Sequence, residues 1–114
     1  MKNIRGILCV LTSVVLALAA LPTLENSIVA GPPTVEIKID NFSFTPPTLT
    51  VRAGTQITWT NGDDIPHTVV SEDQSFRSKV LDTDEKFTFT ASKPGTYPYF
   101  CSIHPKMTGK VVVE

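Results

Sequence analysis

From Thr34 to the end of the chain, apolar and polar residues alternate in short runs broken by turn formers. Val35, Ile37 and Ile39 alternate with Glu36, Lys38 and Asp40, which predicts a strand with one face on a core and the other in water. Leu49 and Val51 follow a Pro46-Pro47 turn, and Ile57 and Trp59 follow an Ala53-Gly54 turn. Val69 and Val70 come after His67, while Phe87 and Phe89 alternate with Lys86, Thr88 and Thr90. Lys93-Pro94-Gly95 marks a turn before Thr96 to Cys101, and Val111 and Val113 close the chain after Gly109. Because Pro98 donates no ladder hydrogen bond, its strand is expected to be bulged or unpaired on the Pro98 side. Residues 71–84 are the least periodic and fit a loop, an irregular strand around Lys79 to Leu81, or a short helical turn. No stretch holds a helical apolar period for long. The pattern predicts an all-β fold, an antiparallel Greek-key β-sandwich of seven to eight strands.

The first thirty residues follow a different rule. Lys2 and Arg5 precede an uncharged apolar run from Ile7 to Leu21 that ends at Pro22, with small residues at Ala17-Leu18-Ala19 and at Ile28-Val29-Ala30. This order is that of a secretory signal peptide, with cleavage favoured after Ala30. The rival reading is an uncleaved membrane anchor, since about 20 apolar residues span a bilayer. The expected division is residues 1–30 as signal peptide and 31–114 as one domain, exported to the periplasm or another extracytoplasmic space. Cys9 falls inside the signal and takes no role.

Composition narrows the chemistry once that segment is set aside. Eight Lys and Arg then stand against ten Asp and Glu, which excludes the basic footprint that nucleic acid demands. The acidic residues Asp63, Asp64, Glu72, Asp73, Asp82, Asp84 and Glu85 read as solvated surface, with a docking patch for a basic partner as the sharper alternative. An 84-residue domain buries only a marginal core without added support, and a bound metal is one such support. Cys101 is the single cysteine left, so no internal disulfide forms, and a lone thiol in an oxidising compartment needs protection or use.

The remaining soft and borderline ligands are two histidines, one cysteine and one methionine. Cys101, His104 and Met107 share a seven-residue segment after a predicted strand, and His67 opens another strand 34 residues before Cys101. Loops from opposite sheets are expected to bring them together at one end of the sandwich. Taken singly, each histidine is an ordinary polar residue, Cys101 a small buried hydrophobe and Met107 core filling. Together, a thiolate and two imidazoles with a weak thioether form a donor set suited to copper in both oxidation states.

The segment Cys101-x-x-His104-x-x-Met107 after Gly-Thr-Tyr-x-Tyr-Phe, with Pro66-His67-Thr68-Val69 upstream, resembles the cupredoxin family. The two-residue gap between His104 and Met107 is similar to that of amicyanins, and plastocyanins have a longer one. The resemblance covers nearly the whole of residues 31–114. It implies one copper ion cycling between Cu(I) and Cu(II), with His67 and His104 as imidazole ligands, Cys101 as thiolate and Met107 as axial thioether. It further implies single-electron transport by a monomer between a redox donor and acceptor, with His104 near the surface and Ile65, Pro66 and Pro105 in an apolar docking rim. Many relatives carry Asn after the first histidine, and Thr68 stands there in this chain. A Thr68 to Ser102 hydrogen bond is expected to replace the Asn tie, and the Thr68 N–H to donate to the Cys101 sulfur. Asn61-Gly62 reads as a turn, with bracing of the His67 loop left open.

Three other functions compete. Storage, buffering or delivery of copper uses the same donors. A catalytic thiol activated by His67 or His104 leaves Met107 unexplained and lacks an identifiable residue to orient the base, so no enzymatic role is expected. Zinc gains little from a thioether.

Overall fold

The computed structural model describes residues 31–114; the expected signal peptide, residues 1–30, lies outside the described residues. Eight strands follow in chain order: β1 (Thr34–Asp40), β2 (Ser43–Thr45), β3 (Thr48–Val51), β4 (Thr55–Asn61), β5 (Val70–Ser71), β6 (Lys86–Ala91), β7 (Gly95–Phe100) and β8 (Thr108–Val113). They form two four-stranded sheets, ordered β2-β1-β4-β6 and β3-β8-β7-β5. The all-β sandwich and its strand number match the alternation read from the sequence.

The sheets are mixed, however, where antiparallel ones were expected. β1 runs parallel to β4, with Ile37 opposite Trp59, and β3 runs parallel to β8, with Leu49 opposite Val111. The chain leaves the first sheet after β2 through Pro46-Pro47, adds β3 to the second, and returns through Gly54 to place β4 beside β1. Gly54 has φ 95°, a left-handed value that glycine adopts at little cost. Side-chain alternation has a period of two in either strand direction, so the pattern carries no signal for parallel pairing.

The core lies between the sheets. Ile37, Ile39, Ile57 and Trp59 face inward from the first sheet, and Tyr97, Tyr99, Val111 and Val113 from the second, all buried. Trp59 meets Tyr99 edge-on with ring centroids 5.5 Å apart, and Phe44 meets Tyr99 at 4.7 Å. Gly109, on β8 opposite Tyr99, is required by this packing: a Cβ there would collide with the Tyr99 ring and hydroxyl.

Pro98 is accommodated as expected of a residue without an N–H. β5 pairs only through Val70↔Phe100 and Ser71↔Tyr99, so it stops short of Pro98, whose carbonyl still accepts from the Glu72 N–H at 2.9 Å. The aperiodic segment 71–84 is not helical. It turns back along β5, with bridges Val70↔Arg77 and His67↔Leu81, and buries Phe76, Ser78 and Leu81. Its irregularity in sequence reflects single bridges in place of a continuous ladder.

Candidate metal centre

Two loops build one pole of the sandwich. The first leaves β4 at Asn61 and runs to β5; the second joins β7 to β8. Because β5 and β7 are neighbours in one sheet, the loops do not belong to opposite sheets as the sequence led us to expect. The first loop crosses from one sheet to the other, and His67 sits at the far side of that crossing.

Asn61 holds the crossing in shape. Its buried side chain donates to the carbonyls of Ile65 at 2.9 Å and Leu81 at 2.8 Å, and its oxygen accepts from the Asp63 N–H at 2.9 Å. The Asn61-Gly62 turn therefore braces the His67 loop. His67 then exchanges backbone bonds with Leu81 in both directions, 3.0 and 2.7 Å, and is completely buried.

The second loop is tied across itself. The Cys101 N–H donates to the Met107 carbonyl at 3.0 Å and the Met107 N–H to the His104 carbonyl at 2.9 Å, so one pair of bonds spaces three candidate ligands. Cys101 and Met107 are buried, and His104 is partly exposed. The loops are joined by the Thr68 hydroxyl, which accepts from the Ser102 N–H at 2.7 Å and shares a 2.7 Å hydrogen bond with the Ser102 hydroxyl. The expected Thr68 to Ser102 tie is present, and the Thr68 N–H points at the Cys101 sulfur at 3.4 Å.

His67 Nδ1 and His104 Nδ1 each lie 3.8 Å from Cys101 Sγ, and the three donors fall within 4.8 Å of one another. Bonds of about 2.0–2.3 Å from a metal to nitrogen and sulfur, spread in a plane, set such donors about 3.7 Å apart. The observed spacing therefore fits a trigonal ion. Burial pushes the Cys101 thiol up, but the Thr68 N–H, the two imidazoles and the His104 backbone N–H outweigh it and bring the thiol down to about 6. A thiolate at neutral pH between two imidazoles, beside a buried methionine, is the donor chemistry of copper.

Two neighbours of the site were given no role there by the sequence. Asp63, grouped with the solvated acids, accepts a 2.8 Å hydrogen bond from His67 Nε2. Burial acts to raise its carboxyl, and the Phe42 amide, the His67 ring and the Asn41 amide more than compensate, holding it below the ordinary carboxylate value. Phe42 stands edge-on to both His67 and His104, with ring centroids 5.5 and 5.1 Å apart. The acid four residues before His67 was the available signal for the first; nothing near Phe42 in the sequence announces the second.

Asp63 also corrects the argument against a catalytic thiol. Cys101, His67 and Asp63 are aligned as nucleophile, base and orienting acid would be, so an orienting residue does exist. The sulfur is nonetheless completely buried and flanked by a second imidazole.

Residues 9–113 match the family model described as a cupredoxin-like domain. Among curated proteins the chain is similar to amicyanin of Paracoccus versutus, 37% identical over 86 residues, covering 70% of this chain and 64% of that protein. It is also similar to amicyanin-alpha of Methylorubrum extorquens, 36% identical over 86 residues, covering 71% of this chain and 72% of that one. The chain thus spans just under two thirds of the length of the first of these relatives. Among solved structures, a purple cupredoxin from Nitrosopumilus maritimus superposes with a TM-score of 0.67 at 34% identity, over 70% of this chain and 99% of that one. Sandwich, pole and sequence agree: the chain belongs to the cupredoxin family.

Proposed function

We propose that this protein carries single electrons between redox partners by means of one copper ion held by His67, Cys101, His104 and Met107. The observation that carries the reading is the buried Cys101 sulfur with the Nδ1 atoms of two imidazoles each 3.8 Å away. Copper, when bound, supplies the one-electron couple. The chain's own residues do the rest. Cys101 and His67 are closed off from water, and loops tied by Thr68, Asn61 and the Cys101–Met107 bond hold the donors before an ion arrives. A cage set in advance changes little when charge changes, which favours fast transfer over bond making. His104 is the donor with an exposed edge and forms the exit toward a partner. Ile65 and Ile103, 38% and 43% exposed, give that pole an apolar rim for brief docking.

Residues 1–30 act as a cleaved signal, residues 31–114 form the copper domain, and the product works as a monomer in the periplasm. The order of charge, apolar run and small residues in 1–30 supports export. Mass spectrometry of the exported protein tests the division, with a mature start at Gly31 expected and a retained N-terminus refuting cleavage. Copper(II) added to the purified protein tests the function. An intense thiolate charge-transfer band with type I spin-resonance parameters is expected, and it disappears in Cys101→Ser. A pale, weakly bound form refutes the carrier and favours storage or delivery.

A further inference from the structure

The Asp63 carboxylate does more than touch His67. Its Oδ2 accepts from His67 Nε2 at 2.8 Å and from the Phe42 N–H at 2.9 Å, while Oδ1 accepts from the Asn41 N–H at 2.6 Å. Asn41 and Phe42 are the two residues of the β1–β2 hairpin turn, between Asp40 and its partner Ser43. Both are left-handed, φ 50° and 56°. A tight hairpin requires such values, but glycine usually supplies the second, and a bulky side chain is disfavoured there. Such a conformation persists where its surroundings over-determine it. The two amide bonds to Asp63 do so, and the side chain they retain is the ring packed edge-on against both imidazoles.

We propose that Asp63 is the positioning residue that makes the β1–β2 turn part of the metal centre, fixing His67 through Nε2 and holding Phe42 as an apolar cover across both imidazoles. The arrangement requires an acid. A carboxylate has two acceptor oxygens for its three donors, whereas an asparagine amide would set its own NH2 against a backbone N–H. With Nε2 engaged, His67 presents Nδ1 to the sulfur. With Phe42 in place, the outer side of the imidazole pair is closed to water and small ligands, although the ring itself is 46% exposed and His104 keeps an open edge. The cover admits contact with a partner's surface and excludes a fifth donor.

The copper measurements rest on the function proposed above; the amide measurement does not, so the two can fail separately. In the metal-free protein, hydrogen exchange at the Asn41 and Phe42 amides should be slow and should accelerate about tenfold or more in Asp63→Asn. In the copper-loaded protein, free imidazole, added at a pH above its own pKa so that the probe is neutral, should bind about tenfold tighter to Asp63→Asn and to Phe42→Ala than to wild type. The double variant should gain little beyond either single one, because both act through one ring. The reduction potential of Asp63→Asn should rise, since a negative charge that favours Cu(II) is lost. Unchanged amide exchange in Asp63→Asn overturns the clamp, and unchanged imidazole affinity in Phe42→Ala, or full additivity in the double variant, overturns the cover. If Asp63→Asn does not fold, Phe42→Ala decides, because it leaves every bond to the carboxylate in place. A wild type without the charge-transfer band sinks the copper reading, while the exchange result still decides the clamp.

Discussion

The two histidines face the same sulfur at the same 3.8 Å, yet they are held in opposite ways. His67 is wholly buried, bonded through its backbone to Leu81 on both sides and through Nε2 to Asp63. His104 is partly exposed on a short loop, with Phe42 and His67 as its aromatic neighbours and Nδ1 aimed at the sulfur. One imidazole belongs to the protein's interior and the other to its surface. The contrast separates the two tasks of an electron carrier: a fixed cage needs a ligand that does not move, and exchange with a partner needs one that can be reached.

Removing the metal gives the largest test of that division. Copper selective for the native state stabilises it by about 4 kcal/mol when present at a thousandfold excess over its Kd. The apo protein should therefore melt well below the loaded one. The loss should be uneven: amide exchange should accelerate through residues 101–107 and change little around His67. Equal acceleration in both loops would contradict a pre-set His67.

Replacing each histidine by glycine is the next largest. His67→Gly empties a buried site and strands Asp63, and should cost the apo fold about 2–4 kcal/mol in denaturant unfolding. His104→Gly should cost under about 0.5 kcal/mol, as surface changes do. Both should lose the charge-transfer band, but added imidazole should restore it only in His104→Gly, whose gap opens to solvent. Rescue of both to the same extent would erase the distinction.

Much of this was legible from residue order, and the illegible part has a physical pattern. Ile37, Ile39, Ile57, Trp59, Val111 and Val113 declare their inward faces by alternation, and all are buried. Cys101, His104 and Met107 declare themselves by spacing, because a seven-residue loop makes them neighbours whatever the rest of the fold does. Parallel pairing of β1 with β4 was hidden, since alternation is blind to strand direction. Asp63 was taken for surface because an acid's partners are set by the crossing of one loop under another hairpin, 21 and 22 residues away in sequence. Thr68 was legible because it directly follows His67, a candidate ligand, at the seam where the two loops meet.

Met107→Leu bears on the surface half of the comparison. The side chain is buried and its N–H bonds the His104 carbonyl, so leucine should keep the loop and the copper. Loss of a weak axial donor disfavours Cu(II), so the reduction potential should rise with the absorption band retained. An unchanged spectrum and potential would remove Met107 from the ligand set.

The smallest shift in potential comes from the bond that makes the two halves one site. In Thr68→Val the backbone N–H still reaches the sulfur, but the hydroxyl is gone, and with it both 2.7 Å bonds to Ser102 and a longer 3.7 Å approach to Cys101 Sγ. The stability cost should be about 1–2 kcal/mol, the value of leaving the Ser102 N–H without its partner. Donors to the thiolate favour the reduced form by withdrawing charge, so the potential should fall, by less than Met107→Leu raises it. Because Thr68 is held from the His67 side, the added motion should appear in amide exchange at Ser102 and Ile103 and not at Val69. Motion appearing equally on both sides would mean that the His67 loop leans on its partner as much as it supports it.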